Sequence, residues 1–342
     1  MKSLDRYTAL LEEKLTEFFK AREAEYGYHP FMAEVYSALE EYCLRGGKRI
    51  ASCTTLYTYQ GYKGEIDDEI LRASVGIELY RHSILIHDDM VDEDRERRGG
   101  RAFHCLFKGD ERFGRGTALF AGNLLYAQGL LALAQGGFEE DKLERARTLL
   151  VEEYRNVNES QCLDLFFEDR EPSPEEWRVM ASKRAASLFR ATMLTGAVFA
   201  DAPDKELPLL ERAAADIGYS FDITDDIIGT FANEEEYGRT PGGDIAMGKK
   251  PLHVAYAYKM LRGAELEEYR SLLRKGTLTE EEIERVKELT IESGALEEAK
   301  SDSRSHAEAA KKALAETSMN DEAKENFSKL IDYVSESLDW YR

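Results

Sequence analysis

Apolar residues recur at helical spacing along most of the chain. Between residues 67 and 92, Ile70, Ala73, Ile77 and Ile84 follow one another at steps of three, four or their sum. Residues at these steps share one face of an α-helix. The pattern therefore predicts a long amphipathic helix over 67–92.

Other segments carry the signals that start and stop helices. Ser173 to Glu176 (SPEE) is typical of an N-cap, a proline at the first helical position and a capping-box glutamate, and Thr279 with Glu282 repeats the capping box. Breaks rich in glycine or proline follow at residues 136–141, 201–208 and 240–251. No segment alternates as a strand hairpin would. We predict an all-α fold, a single-domain bundle over 1–342, with 265–342 forming outer helices.

Composition and charge narrow the function. The chain has 342 residues, of which 43% are hydrophobic and 33% charged, enough for a sizeable core. Its net charge of −21 argues against a nucleic-acid partner, whose site would be basic. The four cysteines lack C-x-x-C spacing, the first residues carry charges throughout, and we see no apolar run near about 18 residues. We expect a cytoplasmic protein without a transmembrane segment.

One acidic cluster lies where we expect the helix to continue. In HDDMVDED, Asp88 and Asp92 lie four residues apart, which is one helical turn, and Asp89 lies beside them. Like charges at this spacing slightly destabilise an isolated helix. They become favourable beside Mg²⁺, which binds carboxylate oxygens and completes its coordination with water molecules and phosphate oxygens. Taken alone, the segment is explained equally simply as the solvent-exposed end of a helix, without a metal ion.

A second acidic cluster weakens that simpler explanation. In GYSFDITDDIIG, Asp222, Asp225 and Asp226 fall on one helical face inside an apolar segment. Two apolar helices that face each other with carboxylates could hold divalent ions, bind a diphosphate and stabilise its charge as it leaves. We predict two or three Mg²⁺ ions, with Asp88, Asp89, Asp92, Asp225 and Asp226 as ligands.

Basic residues accompany both clusters. They are Lys48 and Arg49 after a glycine pair, Arg97 and Arg98, Lys183 and Arg184, Arg239, and Lys249 with Lys250. A glycine pair allows close approach of the backbone to phosphate. Each basic pair, taken alone, is more simply explained as solvated charge on the protein surface. Together with the acids, they predict a pocket for two diphosphates, one held through metal and one held directly by arginine and lysine.

The order of these segments resembles the trans-isoprenyl diphosphate synthase (polyprenyl synthetase) family, in particular geranylgeranyl and farnesyl diphosphate synthases. The run DDMVDEDRERRG at 88–99 matches the family's motif D-D-x-x-D-x-x-x-x-R-R-G in full. The other matching segments are GGKR at 46–49, FAGNLLY at 120–126, Gln161 with Asp164, Lys183, Phe221, Asp225 with Asp226, and GGDIAMGKKPL at 242–252. The resemblance implies long helices around a deep central cavity, usually in a homodimer.

The chemistry implied by this resemblance is prenyl transfer. Mg²⁺ on Asp88, Asp92 and Asp225 would ionise an allylic diphosphate, and isopentenyl diphosphate would attack the allylic cation. The implied catalytic residues are Asp88, Asp92, Lys183, Asp222 and Asp225. The implied substrate-binding residues are Lys48, Arg49, Arg81, Arg97, Arg98, Lys183, Arg239, Lys249 and Phe221.

Four positions depart from the family pattern. Ala51 stands where the family usually has arginine, and Arg81 stands where it usually has histidine. Both positions normally hold isopentenyl diphosphate, so we hypothesise that Arg81 compensates for Ala51; pairing of Arg81 with a nearby acid is the alternative. Arg184 and Asp222 replace a usual threonine and glutamine, and their matched charges suggest that they pair with each other.

Product length is expected to depend on the residues before the first acidic cluster. In the family, a bulky aromatic residue five positions before the first aspartate closes the hydrophobic tunnel. Here that residue is Ser83, followed by Ile84, and Tyr80 lies about one turn deeper. We expect a product of about C20 to C25. Ordinary core packing remains the alternative for Tyr80 and Ile84.

Three other functions compete with this interpretation. A relative that is a non-elongating partner subunit, or that uses a different prenyl acceptor, would explain the changes at 51, 81, 184 and 222. A class I terpene cyclase would also use aspartates and Mg²⁺, but it needs only one diphosphate site. A helical scaffold would leave the glycine and lysine motifs unexplained.

Overall fold

The computed structural model describes residues 2–232, 242–275 and 278–336. These residues form α-helices, two short 3₁₀ turns and one two-stranded hairpin. The chain divides into two compact units: Met1–Thr148 with Leu194–Ala202, and Leu149–Met193 with Pro203–Arg342. The all-α prediction is confirmed, whereas the single domain over 1–342 stays a prediction.

Long helices make up the first unit. They are α1 (Lys2–Tyr26), α2 (Pro30–Leu44), α3 (Ile50–Lys63), α4 (Asp68–Val91), α5 (Glu111–Ala134) and the start of α6 (Glu140–Glu168). Helix α4 is the helix predicted over 67–92. Asp67 caps its N-terminus by accepting a hydrogen bond from the Ile70 N–H, and Asp92 is its C-cap. The first acidic cluster therefore lies at the end of α4, and the helix does not continue past it.

Helices α4 and α5 approach each other closely where two glycines meet. A Cβ atom on Gly76 would lie 2.6 Å from the carbonyl oxygen of Gly129, and one on Gly129 would lie 2.9 Å from that of Gly76. Side chains at these positions would push the two backbones apart. The glycines thus fix the position of the helix that carries the first acidic cluster.

A short hairpin follows α4. Strand β1 (Glu96–Arg97) pairs antiparallel with β2 (Gly100–Arg101). The two loop residues, Arg98 and Gly99, have φ values of 51° and 73°, as a tight two-residue hairpin turn requires. Strands of two residues are too short to show alternation, which is why no strand was predicted here.

The later helices belong mostly to the second unit. They are α7 (Pro174–Ala181), α8 (Ala185–Phe199), α9 (Leu207–Phe231), α10 (Gly243–Ala246), α11 (Leu252–Met260), α12 (Gly263–Leu273), α13 (Glu280–Glu292), α14 (Ala295–Ala315) and α15 (Asp321–Glu336). Both predicted capping boxes are confirmed, Ser173 with Glu176 on α7 and Thr279 with Glu282 on α13. The outer position of 265–342 stays a prediction.

Helix α9, which carries the second acidic cluster, packs along α14 through a buried hydroxyl group. The Ser303 Oγ lies 3.0 Å from the Ser220 Oγ and 2.9 Å from the Thr224 Oγ1. At 100° per residue, Asp222 and Asp226 fall on the face of α9 opposite to Ser220 and Thr224. The α14 contact therefore orients the acidic face of α9 away from α14.

Helix α5 is the one helix in the described ranges that is long and apolar enough to cross a membrane by length and composition. Of its most apolar 18-residue window, 39% is buried inside the structure. A core helix of a soluble protein meets the same criterion, so one such helix is weak evidence. Asn123 and Gln128 interrupt the run, which is why the sequence showed no continuous apolar stretch.

Candidate active site

The last turn of α4 places the first acidic cluster. The Asp92 N–H donates to the Asp88 carbonyl oxygen at 2.8 Å, so the two residues lie one turn apart as predicted. Asp89 differs from both because its side chain is fully buried. Its carboxylate accepts hydrogen bonds from the Tyr42 hydroxyl at 2.6 Å and from the Arg97 Nε at 2.5 Å. This geometry favours Asp89 as the residue that holds Arg97; its role as a metal ligand stays a prediction.

Arg97 comes from the hairpin and lies among several acids. It lies 3.7 Å from Asp88 and 3.2 Å from Asp94, in addition to its contact with Asp89. Burial alone would lower the pKa of Arg97, but Asp89 and Asp88 raise it above its ordinary value. Burial raises the pKa of Asp89, and Arg97 opposes that rise. Arg97 is thus a fixed cation beside the predicted metal ligands.

The hairpin that carries Arg97 is held by an arginine that the sequence analysis did not select. The Arg45 guanidinium donates to the Arg97 carbonyl oxygen at 3.2 Å and to the Arg101 carbonyl oxygen at 2.8 Å. Glu41 accepts from the other side of the same guanidinium, at 2.6 Å. The only sequence signal for a role of Arg45 is its position directly before the GGKR segment. No sequence signal points to Tyr42.

Arg49 lies in the core of the first unit. Its side chain is fully buried and donates to Glu78 at 2.8 Å, to Glu12 at 3.0 Å and to the Cys43 carbonyl oxygen at 2.9 Å. A left-handed backbone, with φ of 46°, turns this residue inward at the start of α3. Lys48 beside it is half-buried. The substrate-binding roles of both residues stay predictions, and the geometry of Arg49 favours a structural anchor.

Arg81 and Arg98 lie in one charged region of the first unit, and Glu78 acts on both of them. The Arg98 guanidinium lies against the backbone of Gly47, where a Cβ atom would lie 2.8 Å from its Cζ. Burial and the nearby Arg81 lower the pKa of Arg98 to about 9. Burial also lowers the pKa of Arg81, whose Nη1 is buried without a hydrogen-bond partner among the described residues. A guanidinium group that is largely removed from water is unfavourable unless an anion pairs with it. A bound anion would therefore stabilise both arginines.

The three predicted chain-length residues lie on α4. Tyr80 and Ser83 are buried, and Ile84 is half-buried. The Ser83 hydroxyl donates to the Tyr80 carbonyl oxygen at 2.7 Å, and the Tyr80 ring lies 6.3 Å from the Tyr126 ring on α5. Their roles in product length stay predictions.

The second acidic cluster surrounds Arg184. The Arg184 Nε lies 3.2 Å from Asp222, its Nη2 3.0 Å from Asp226 and its Nη1 3.9 Å from Asp164. The predicted pairing of Arg184 with Asp222 is therefore present, and it extends to two further acids. Asp225 lies half-buried beside Asp226. Burial raises the pKa of Asp226 to about 7 against the opposing effect of Arg184.

The remaining predicted residues of the second unit are partly exposed. The Lys183 Nζ donates to Asn156 at 3.0 Å and to Glu159 at 2.5 Å, and Lys249 lies 3.7 Å from Asp244. The Phe221 ring packs edge-on at 5.7 Å from Phe189. Arg239 lies outside the described residues.

The carboxylates at the end of α4 fit magnesium, which takes only some of its ligands from protein. In the part of the chain that the structure describes, no three histidine, cysteine or acidic side chains form a ready metal site as they stand, and the three acids around Arg184 are occupied by its guanidinium. Mg²⁺ binds through one or two carboxylates, several waters and substrate phosphates. Asp88 with Asp92, one turn apart, supplies such a partial set of ligands.

Comparison with known proteins gives the class of this chain. Residues 32–290 match the sequence profile of the polyprenyl synthetase family. The match spans more than half of the chain, so the chain belongs to that family. It is an enzyme, a trans-prenyltransferase.

Two relatives and one solved structure illustrate the similarity. A short chain isoprenyl diphosphate synthase of Methanocaldococcus jannaschii is 32% identical over 75% of this chain and 76% of its own. A geranylgeranyl pyrophosphate synthase of Geoglobus acetivorans is 30% identical over 96% of both chains. The Corynebacterium glutamicum geranylgeranyl pyrophosphate synthase complexed with isoprenyl diphosphate and magnesium has a TM-score of 0.91, at 24% identity over 98% of this chain and 99% of its own. At that identity it shows the fold alone.

Proposed function

We propose that this enzyme condenses an allylic diphosphate with isopentenyl diphosphate and releases an all-trans prenyl diphosphate of about C20 to C25. The observation that carries the proposal is the end of α4, where Asp88 and Asp92 lie one turn apart and Arg97 is fixed beside them. The family resemblance assigns Asp225, Lys183 and Lys249 to the same diphosphate. The similarity to the G. acetivorans geranylgeranyl pyrophosphate synthase supports a product of this size class.

Two or three Mg²⁺ ions would be held by Asp88, Asp92 and Asp225 together with diphosphate oxygens, and they supply charge stabilisation for the leaving group. Arg97, Lys183 and Lys249 bind the same diphosphate directly. As the allylic C–O bond breaks, the isopentenyl double bond attacks the allylic carbon. A proton then leaves the new chain for the released diphosphate. The contribution of these residues is mainly electrostatic.

The second diphosphate binds at Arg81, Arg98 and Lys48 in this proposal. The support is that burial lowers the pKa of both guanidinium groups more than Glu78 raises it, and that the Nη1 of Arg81 is buried without a hydrogen-bond partner among the described residues. No ion pair of Arg81 with an acid occurs within the described ranges, in contrast to the alternative of internal pairing. Arg81 thus supplies the contact that Ala51 lacks.

The small side chain of Ser83 leaves Tyr80 as the first bulky residue below the reaction centre on α4. We therefore expect Ser83→Tyr to shorten the product, because a phenol at this buried position fills the volume that a longer chain needs. Product chromatography of wild type and Ser83→Tyr tests this expectation. A wild-type product of C15 only would contradict it.

The enzyme is proposed to act as a homodimer in the cytoplasm, with α5 at the subunit interface. Large apolar side chains of α5 remain accessible in the isolated chain, with Phe120 67% and Leu131 54% exposed. They lie on one helical face, since 120 and 131 are eleven residues apart. Light scattering of Phe120→Asp with Leu131→Asp, compared with wild type, should show half the mass.

One assay tests the activity as a whole. Allylic diphosphate and labelled isopentenyl diphosphate are incubated with the full chain in Mg²⁺, with EDTA as the control, and the products are sized. We expect label in a prenyl diphosphate only with Mg²⁺. Ionisation of the allylic substrate without incorporated label would instead support a relative with another prenyl acceptor, which the changed positions 81, 184 and 222 favour. Cyclic hydrocarbon products would identify a terpene cyclase.

A further inference from the structure

Arg184 lies at the meeting point of three carboxylates. Asp164 comes from α6, while Asp222 and Asp226 come from successive turns of α9. All three lie within 3.9 Å of the Arg184 guanidinium, which uses a different nitrogen atom for each. The backbone N–H of Ala185 also donates to Asp222, at 3.3 Å. The guanidinium fork therefore fills the space between the three acids.

This arrangement offsets a strongly unfavourable group of charges. The side chains of Asp164, Asp222 and Asp226 are only 13%, 8% and 18% exposed. Carboxylates this close and this little hydrated repel one another and pay a desolvation penalty. Without Arg184, the cluster would need protons or another cation to remain folded.

We propose that Arg184 is a built-in cation of the second acidic cluster, which takes the position that a divalent ion would otherwise occupy between Asp164, Asp222 and Asp226. The proposal rests on the proposed magnesium-dependent function. Arg184 restricts divalent ions in this unit to the Asp225 side of α9. It touches no reacting atom in this account and acts as a positioning residue.

The consequence is a specific dependence on metal. In wild type, Arg184 lies within 3.9 Å of all three carboxylates and offsets part of their charge, so we expect the stability of the cluster to change little when metal is removed. When Arg184 is replaced by an uncharged residue, the three carboxylates become a potential ligand set for a divalent ion. The variant should then gain metal affinity and depend on metal for stability.

The test uses Arg184→Thr in the full chain, with the double variant Arg184→Thr/Asp222→Gln as the matched control. Mn²⁺ binding is followed by electron paramagnetic resonance without substrate, and thermal unfolding is followed in EDTA and in excess Mg²⁺. We expect Arg184→Thr to bind Mn²⁺ at least about tenfold more tightly than wild type, because a nearby positive charge no longer opposes the ion. Its melting temperature should fall in EDTA and recover in Mg²⁺.

The double variant removes one acid together with the arginine, so it should show neither the gain in Mn²⁺ affinity nor the recovery. An Mn²⁺ isotherm for Arg184→Thr equal to that of wild type, or an equal loss of melting temperature with and without Mg²⁺, would overturn the proposal. If Arg184→Thr does not fold even in Mg²⁺, the metal does not replace the arginine and the proposal is equally overturned. Failure of the proposed function shows differently, as wild type without prenyl transfer.

Discussion

The two acidic clusters have similar compositions but hold their arginines differently. In the first, Arg97 comes from the hairpin after α4, pairs most closely with the buried Asp89, and lies 3.7 Å from the predicted metal ligand Asp88. In the second, Arg184 lies between the acids and contacts Asp226, which the sequence selected as a metal ligand. The comparison teaches that an arginine beside aspartates can either border an ion site or fill it. Which of the two applies depends on where the guanidinium group lies.

The largest expected effect separates the two clusters directly. Asp88→Asn should lower kcat by about 10²–10³-fold, because one charge that holds the leaving-group cations is lost. Asp226→Asn should lower kcat by about tenfold or less, since Arg184 already offsets that carboxylate. Steady-state kinetics of both variants in saturating Mg²⁺ decides the comparison. Equal losses in the two variants would show that the clusters share the work evenly.

Arg81→Ala tests the basic side of the first unit. Loss of a charge-assisted hydrogen bond to a diphosphate should raise the KM for isopentenyl diphosphate by about 10–100-fold. The KM for the allylic substrate should change less, because Arg81 is not one of the residues proposed to bind the allylic diphosphate. Arg112→Ala, at an exposed position of α5, is the control. An unchanged KM for isopentenyl diphosphate in Arg81→Ala would end the compensation hypothesis.

Tyr42→Phe tests whether Asp89 acts by holding Arg97 in place. The change leaves a buried carboxylate with one hydrogen bond fewer, which should cost about 1–3 kcal/mol in the free energy of unfolding. Denaturant unfolding measures this cost. The matched control is Tyr269→Phe in the second unit, where the lost hydroxyl faces the neutral Thr290 at 3.0 Å.

The two variants should differ because hydrogen bonds to charged groups contribute more than neutral ones, by roughly a factor of two. In addition, kcat should fall in Tyr42→Phe and stay unchanged in Tyr269→Phe. A loss in stability without a loss in kcat would assign Asp89 a purely structural role.

Local patterns predicted the helices well because their signals lie within the segments themselves. The spacing of Ile70, Ala73 and Ile77 defined α4, and the two capping boxes marked the starts of α7 and α13. The end of α4 was placed too late. The acids of the first cluster continue the helical spacing, and no residue in the sequence marks the stop after Val91.

Contacts between distant segments could not be predicted in the same way. Tyr42 reaches Asp89 across 47 positions in sequence, and nothing near either residue signals the contact. Lys48 and Arg49 looked equivalent as a basic pair, but the left-handed backbone of Arg49 buries its side chain. The Arg184 pairing was predictable because two charge changes matched. Its extension to Asp164 and Asp226 required the packing of α6 and α9.

The smallest expected effect is a difference in pH response between the two regions. Near the first cluster, burial lowers the pKa of His82 from 6.5 to about 3. The folded state therefore binds fewer protons than the unfolded state, and stability is lost as pH falls from 6.5 towards 3. In the second cluster, burial raises the pKa of Asp226 from 3.8 to about 7. There the stability is present below 3.8 and is lost as pH rises through 7.

These opposite signs can be separated by two neutral substitutions in metal-free protein. His82→Asn should flatten the loss of melting temperature on the acid side and leave the alkaline side unchanged. Asp226→Asn should do the reverse, since its amide cannot ionise. Calorimetry in EDTA measures the melting temperature across this pH range. Each kcal/mol in the free energy of unfolding corresponds to a shift of roughly 2–4 °C. If Asp226→Asn loses melting temperature with rising pH as steeply as wild type does, Arg184 already keeps Asp226 ionised across this range. The arginine would then offset the charge of Asp226 more fully than burial opposes it.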